Sequence, residues 1–241
     1  VHQAPAIPQQ LAPFEIAVVD GSGYRGVRGS IPTAAAVARA GRGGRVCMLA
    51  FLSIGTLHPD RPYAAGISTG SRLGPVRGRT RERHMDLRAA DVRRALLEEV
   101  DRIAAVGFDG VCVGGLEAVH ALSGGRVAAI RLINAIARNP AELRVVAWNG
   151  LDVARASLDA IAQENVFLHS EPLRRRALVG RLRRFVRDDG PVLVAEYAPP
   201  GSRASAEAVR QARAEGFRPA VTVRSLDRLP HAYAPRPGEP M

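Results

Sequence analysis

A chain of 241 residues, 46% hydrophobic and 24% charged, has the makeup of one soluble globular domain with room for a sizeable core. No stretch approaches the roughly 18 apolar residues of a membrane span, so none is expected. The net charge is +11, and all 34 cations are Arg. Aromatic residues make up only 5%, which leaves few stacking platforms for single-stranded nucleic acid, and no nucleic-acid partner is expected.

Residues 1–13 are Pro-rich and without periodicity, and read as a lead-in; the opening Val points to removal of an upstream segment. Seven short apolar runs follow, at 14–20, 45–55, 108–115, 143–150, 164–171, 191–198 and 218–225. Stretches with helical spacing lie between most of them, at 33–41, 90–106, 126–138, 151–162, 177–187 and 203–214. Pro32 falls in a favoured place at the start of the first helix, and Gly107 reads as the stop of the second. A polar stretch rich in Gly, Pro and Arg fills 56–82, and HMDL at 84–87 is a candidate third strand. With that strand the count is eight. Alternating strands and helices predict a single (β/α)8 TIM barrel over 14–229, with an irregular Pro-rich tail at 230–241.

In such a barrel the residues just past the C-terminal strand ends build the active site. Asp20 and Glu196 end predicted strands, Asp86 lies in the short third strand and Glu164 borders the sixth. An unpaired acid in an apolar run is costly. Each therefore needs a ligand, a water cluster or an ion pair, with Arg224 one candidate partner. Trp148 and Asn149 suit sugar binding, through an apolar ring face and an amide that both donates and accepts; the only Trp of the chain can equally be core. Cys47 and Cys112 lie within strands and read as small buried apolar residues. Gly21, Gly23 and Gly26 match G-x-G-x-x-G, yet no helix opens at them and no acid ends the second strand, so they shape a loop rather than hold a dinucleotide. His58 and His169 read as ordinary loop residues, and Ser53 and Ser170 lack a nucleophile-elbow setting. The arginines at 174–176 and at 181, 183 and 184 read as a solvated outer face.

The ordered set AVVD, FLSIG, MDL, GFDGVCVG, WNG, QENVF, VLVAEY and ARAEGFRP, running from Phe14 to Leu229, resembles the endo-α-1,4-polygalactosaminidase family, glycoside hydrolase family 114. The resemblance implies a barrel that cleaves α-1,4-linked galactosaminoglycan with two carboxylates and no cofactor or metal. It implies a galactosamine-containing polysaccharide as partner and a secreted or extracytoplasmic setting. One catalytic acid maps onto Glu164. The other maps onto Gly114, which can neither donate a proton nor attack, and the family's Glu after S-I-G maps onto Thr56. Glu117, three residues beyond Gly114, is the nearest replacement acid. Glu164 with Glu117 are thus the catalytic candidates, and Asp20, Asp86, Trp148, Asn149, Glu196 and Arg224 the substrate-binding candidates. Two readings stay open: a glycosidase with a displaced acid, or a saccharide-binding descendant that has lost catalysis.

Overall fold

The computed structural model of the chain describes residues 15–21, 46–116, 119, 123–153, 156–168, 170–188, 190–199 and 201–222. In chain order its first half holds β1 (Ile16–Asp20), β2 (Cys47–Ser53), β3 (Thr56–Leu57), β4 (Arg72–Val76), β5 (Arg79–Met85) and α1 (Ala90–Val106). Next come β6 (Gly110–Gly114), α2 (Gly125–Ala137), β7 (Arg144–Trp148), β8 (Ala160–Glu164), α3 (Pro172–Asp188), β9 (Val192–Tyr197), α4 (Arg203–Ala214) and β10 (Arg218–Thr222). Seven strands pair in the order β1-β2-β6-β7-β8-β9-β10, all parallel. The sheet curls until Glu15, just before β1, meets Arg218 at the start of β10, with 3.4 Å between Oε2 and Nη1. A curled parallel sheet with helices between its strands is the (β/α)8 barrel architecture that the sequence predicts.

Side-chain alternation divides this sheet into two faces. Ile16, Val18, Cys47, Leu49, Phe51, Cys112, Val146, Trp148, Ala160, Ala162 and Leu193 pack together as the barrel interior. On the other face Ile161, Val192 and Val194 pack against Val179, Leu182 and Phe185 of α3. α1 buries Val92, Leu96, Val100 and Ile103, the face its 3.6-residue period predicts, and ends at Gly107 in the left-handed region, φ 100°. Two carboxylates pin the opposite end of the barrel. Asp109 accepts the Met48 amide at 2.7 Å and Asp159 the Val145 amide at 2.7 Å.

Three sequence expectations need correction. HMDL is not a barrel strand: β2 pairs directly with β6, and β5 lies in a separate antiparallel ribbon, order β3-β5-β4. The ribbon strands and two short 3-10 turns, Pro62–Gly66 and Thr69–Ser71, occupy much of the supposed loop at 56–82. Asp91 in the first turn of α1 ties it down, accepting the Ser68 amide and the Ser71 hydroxyl, each at 2.8 Å. These hydrogen bonds, led by the Ser68 amide, hold the Asp91 carboxyl well below its usual range.

The second correction concerns 151–171. The spacing of Leu151, Leu158 and Ile161 mimics a helix, yet among the described residues a short 3-10 turn forms at Leu151–Val153, and β8 covers Ala160–Glu164. Val166 and Phe167 are apolar because they are buried as a loop under α3, not because they extend the strand. Tertiary pairing with β7 and β9 on both sides overrides the local period. α3 accordingly starts at Pro172 rather than 177.

The third is Glu196, expected at the mouth. It alternates with Tyr197 and shares the outward face of Val192 and Val194. It is fully buried, and its carboxylate accepts the amides of Phe167 at 2.7 Å and Leu168 at 3.2 Å. It fastens the loop after β8. The predicted helix at 33–41 lies outside the described residues.

Two predictions follow from this packing. Burial pushes the Cys112 thiol up to about 12, and burial, with help from Asp109, also raises Cys47. Because the thiolate is the reactive form, a disulfide reagent at pH 8 should modify the folded chain far more slowly than the unfolded chain, which should titrate both thiols. Rapid modification of either Cys in the folded chain would contradict this packing. Glu196→Gln removes a buried anion that receives two amides, and should lower unfolding free energy by about 2 kcal/mol in chemical denaturation. A variant as stable as the parent would show that the carboxylate does not fasten the loop.

Candidate functional site

The interior face continues upward to the C-terminal strand ends. By alternation Asp20 follows Ile16 and Val18, Ser53 follows Phe51, Gly114 follows Cys112, Glu164 follows Ala160 and Ala162, and Tyr197 follows Leu193. With Trp148 they form the inner rim of one barrel end. Asn149, directly after β7, joins them through hydrogen bonds.

Glu164 is the best-organised group of this rim. Tyr197 Oη donates a hydrogen bond to Oε1, and Asn149 Nδ2 donates to Oε2 at 2.9 Å. The Asn149 amide oxygen in turn accepts Gln163 Nε2 at 2.8 Å and the Glu164 backbone amide at 3.0 Å. Asn149 holds φ 55°, a left-handed conformation that Asn tolerates better than most side chains, and its own amide reaches the Ala162 carbonyl at 2.6 Å. The N-G turn after β7 therefore serves to lay one carboxamide against one carboxylate. An ionised carboxylate has about four lone-pair sites, so two remain for a ligand hydroxyl or ammonium.

Asp20 pairs with Arg61; Arg224, the partner suggested by the sequence, lies outside the described residues. Arg61 Nη1 stands 2.6 Å from Asp20 Oδ1, and the Arg61 side chain is only 8% exposed. Arg61 comes from the segment between β3 and β4, whose Tyr63 donates its hydroxyl to the Ser53 carbonyl at 3.3 Å. The end of β1 is gripped a second time. Arg102 of α1, paired with buried Glu99, donates to the Gly21 carbonyl at 2.7 Å. Gly21 is required there because a Cβ would lie 2.4 Å from that of Ala50.

Two further candidates lie off the barrel strands. Asp86 follows the ribbon rather than a barrel strand and accepts both the amide and the guanidinium of Arg88, whose hydrogen bonds hold its carboxyl below the usual range. His58 Nδ1 accepts the Asp60 amide at 3.3 Å within a turn. Glu117 and His169 lie outside the described residues. On α3, Arg174, Arg176 and Arg184 are exposed, and exposed Arg181 and Arg183 pair with Asp152 and Glu215, in keeping with a solvated face; Arg175 departs from it, half-buried and donating to the Ser170 carbonyl at 3.1 Å. A recess of about 610 Å³ bordered by Arg138, Glu142, Ser157 and Asp159 sits at the opposite end of β7 and β8, away from the rim.

Gly114, where the resemblance places the second acid, is not open space. A Cβ there would stand 2.4 Å from Cζ and 2.5 Å from Cε2 of Phe51, so the ring lies over the position. Sequence reasoning missed Phe51 and Tyr197. The signal for Tyr197 was present in VLVAEY, where period two puts Leu193, Ala195 and Tyr197 on one face and Glu196 on the other. Nothing in the sequence announces that the Phe51 ring leans over the neighbouring strand. Among the described residues no group of three or more His, Cys, Asp or Glu could hold a metal ion, and no helix is long and apolar enough to cross a membrane.

Comparison with known proteins finds the same fold. The glycoside hydrolase domain of PelA from Pseudomonas aeruginosa shares the fold with a TM-score of 0.79 at 20% identity, over 96% of this chain and 95% of that one. Aspergillus fumigatus Ega3, solved in complex with galactosamine, gives a TM-score of 0.71 at 14% identity, over 90% and 87%. An α-amylase from H. orenii follows at 0.59 and 9% identity, over 92% of this chain and 61% of that one. No curated protein matches the chain by sequence. The model of glycoside-hydrolase family GH114 matches residues 8–234, nearly the whole length, and the chain belongs to that family.

Proposed function

We propose that this barrel binds an α-1,4-linked galactosaminoglycan-type polysaccharide at the rim around Glu164, and that it hydrolyses the polymer slowly or not at all. What supports this reading is an organised carboxylate beside a bare glycine at the position the family resemblance gives to the second acid. Glu164 is oriented by Tyr197 and Asn149, while position 114 offers no side chain and lies under the Phe51 ring. Glycoside hydrolysis needs two carboxyl groups, one to protonate the leaving oxygen and one to attack or activate water. Asp20 is taken up by Arg61, and Glu196 faces the helix layer with two backbone amides on it. Neither supplies the second role. Family membership and the galactosamine-bound relative support the substrate class. Trp148 beside Asn149 supports a sugar contact. A polymer of this kind lies outside the cytoplasm, and the chain would meet it there.

The alternative is a glycosidase in which Glu117 has replaced the missing acid, favoured by its position only three residues beyond Gly114. One pair of assays decides between them. The chain should bind a partially acetylated galactosaminoglycan, and Glu164→Gln should weaken binding at least tenfold, about 1.4 kcal/mol. Reducing-end release by the parent should fall below the usual enzyme range of roughly 1–1000 per second. Turnover within that range would overturn the non-catalytic reading, and its loss in Glu117→Gln would then identify the displaced acid.

A further inference from the structure

Phe51 projects from β2 into the barrel interior, and its ring leans across to the adjacent strand until it covers Gly114. A side chain at 114 would begin 2.4 Å from the ring, against the roughly 3.5–4.0 Å of an ordinary carbon contact. The ring is not swallowed by the core. Phe51 and Trp148 are both half-buried, resting on Leu49, Cys112, Val146 and Ala162. The two aromatics thus form the uppermost apolar layer of the interior, at the level where the rim begins. The Glu164 carboxylate and the Tyr197 hydroxyl belong to that rim. Apolar faces bordered by a few fixed polar groups match a pyranose, whose C–H face prefers an aromatic surface and whose edge carries hydroxyl or acylamino groups.

We propose that Phe51 and Trp148 form the platform of a pyranose-binding seat, and that position 114 is glycine because the Phe51 ring occupies the space a side chain would need. The proposal rests on the saccharide reading above and adds its contact surface. The seat suits a neutral, N-acetylated residue: its floor is apolar, and a chain of net charge +11 does not attract a polycation.

The test uses an N-acetylated α-1,4-linked galactosamine tetrasaccharide as probe. Calorimetry and the fluorescence of Trp148, the only Trp, report binding, and thermal melts report packing. Phe51→Leu keeps an apolar filler but removes the stacking face; it should weaken binding about tenfold, with Tm close to that of the parent. Gly114→Ala should lower Tm by about 3–6 °C and weaken binding as the ring is displaced. The double variant should regain Tm but not affinity. If Phe51→Leu binds as the parent does while Glu164→Gln has lost binding, the platform is wrong and the saccharide reading stands. If Gly114→Ala keeps both Tm and affinity, the steric part of the proposal fails. If the parent binds neither the tetrasaccharide nor a partially acetylated galactosaminoglycan, the seat and the saccharide reading fall together; if it binds only the latter, the preference for an N-acetylated residue is wrong.

Discussion

The two-residue period of the parallel strands decides what this barrel end can do. Each strand delivers adjacent residues to opposite environments, one to the interior and one to the helix layer. Glu164 and Tyr197 emerge inward on neighbouring strands and bond to each other; Glu196, one residue from Tyr197, emerges outward and holds a loop. A shift of one residue in β9 would exchange a rim hydroxyl for a second rim carboxylate. Register, set by apolar packing on both faces, thus precedes any chemistry at the rim.

The antiparallel ribbon completes what the barrel does not provide. It brings Arg61 to Asp20, and its attachment through Asp91, Ser68 and Ser71 makes that pairing part of the framework. A largely buried ion pair offers weak net stability, but removing either partner alone is costly. Together with the Arg102 bond to the Gly21 carbonyl, it fixes the end of β1 from two sides. The arginine excess, featureless as a composition, divides in the structure into such buried anchors and exposed side chains on α3.

Much of this was legible in the sequence where apolar period and position agreed. β1, β2, β6, β7, β9 and β10 lie within predicted runs, α1 and α4 match their helical spacing closely, and the order of motifs pointed to the family. Asp20 could be placed at a strand end because an acid closes an apolar run, whereas Glu164 opens the predicted run at 164–171 and yet closes β8. The failures had physical causes. At 151–164 a strand paired on both sides prevailed over a helical pattern, and the apolar Val166 and Phe167 posed as a strand while filling a loop core. Glu196 was mistaken for a rim group because its charge drew more attention than its parity. The ribbon was hidden because β5, Arg79–Met85, is exposed and charged for most of its length and carries no apolar alternation.

The contact between Phe51 and position 114 also couples two places in the chain. With a side chain at 114 the ring could not lie where it does, so the ring's pose depends on glycine at that position. The two positions are therefore not free to vary independently. An aspartate introduced at 114, although a single residue change, meets an occupied space and must evict an aromatic side chain before its carboxylate can reach the rim. A change at 51 opens that space, whereas a change at 114 alone does not. The order in which the two positions are altered therefore decides the barrier, and the pair behaves as a latch.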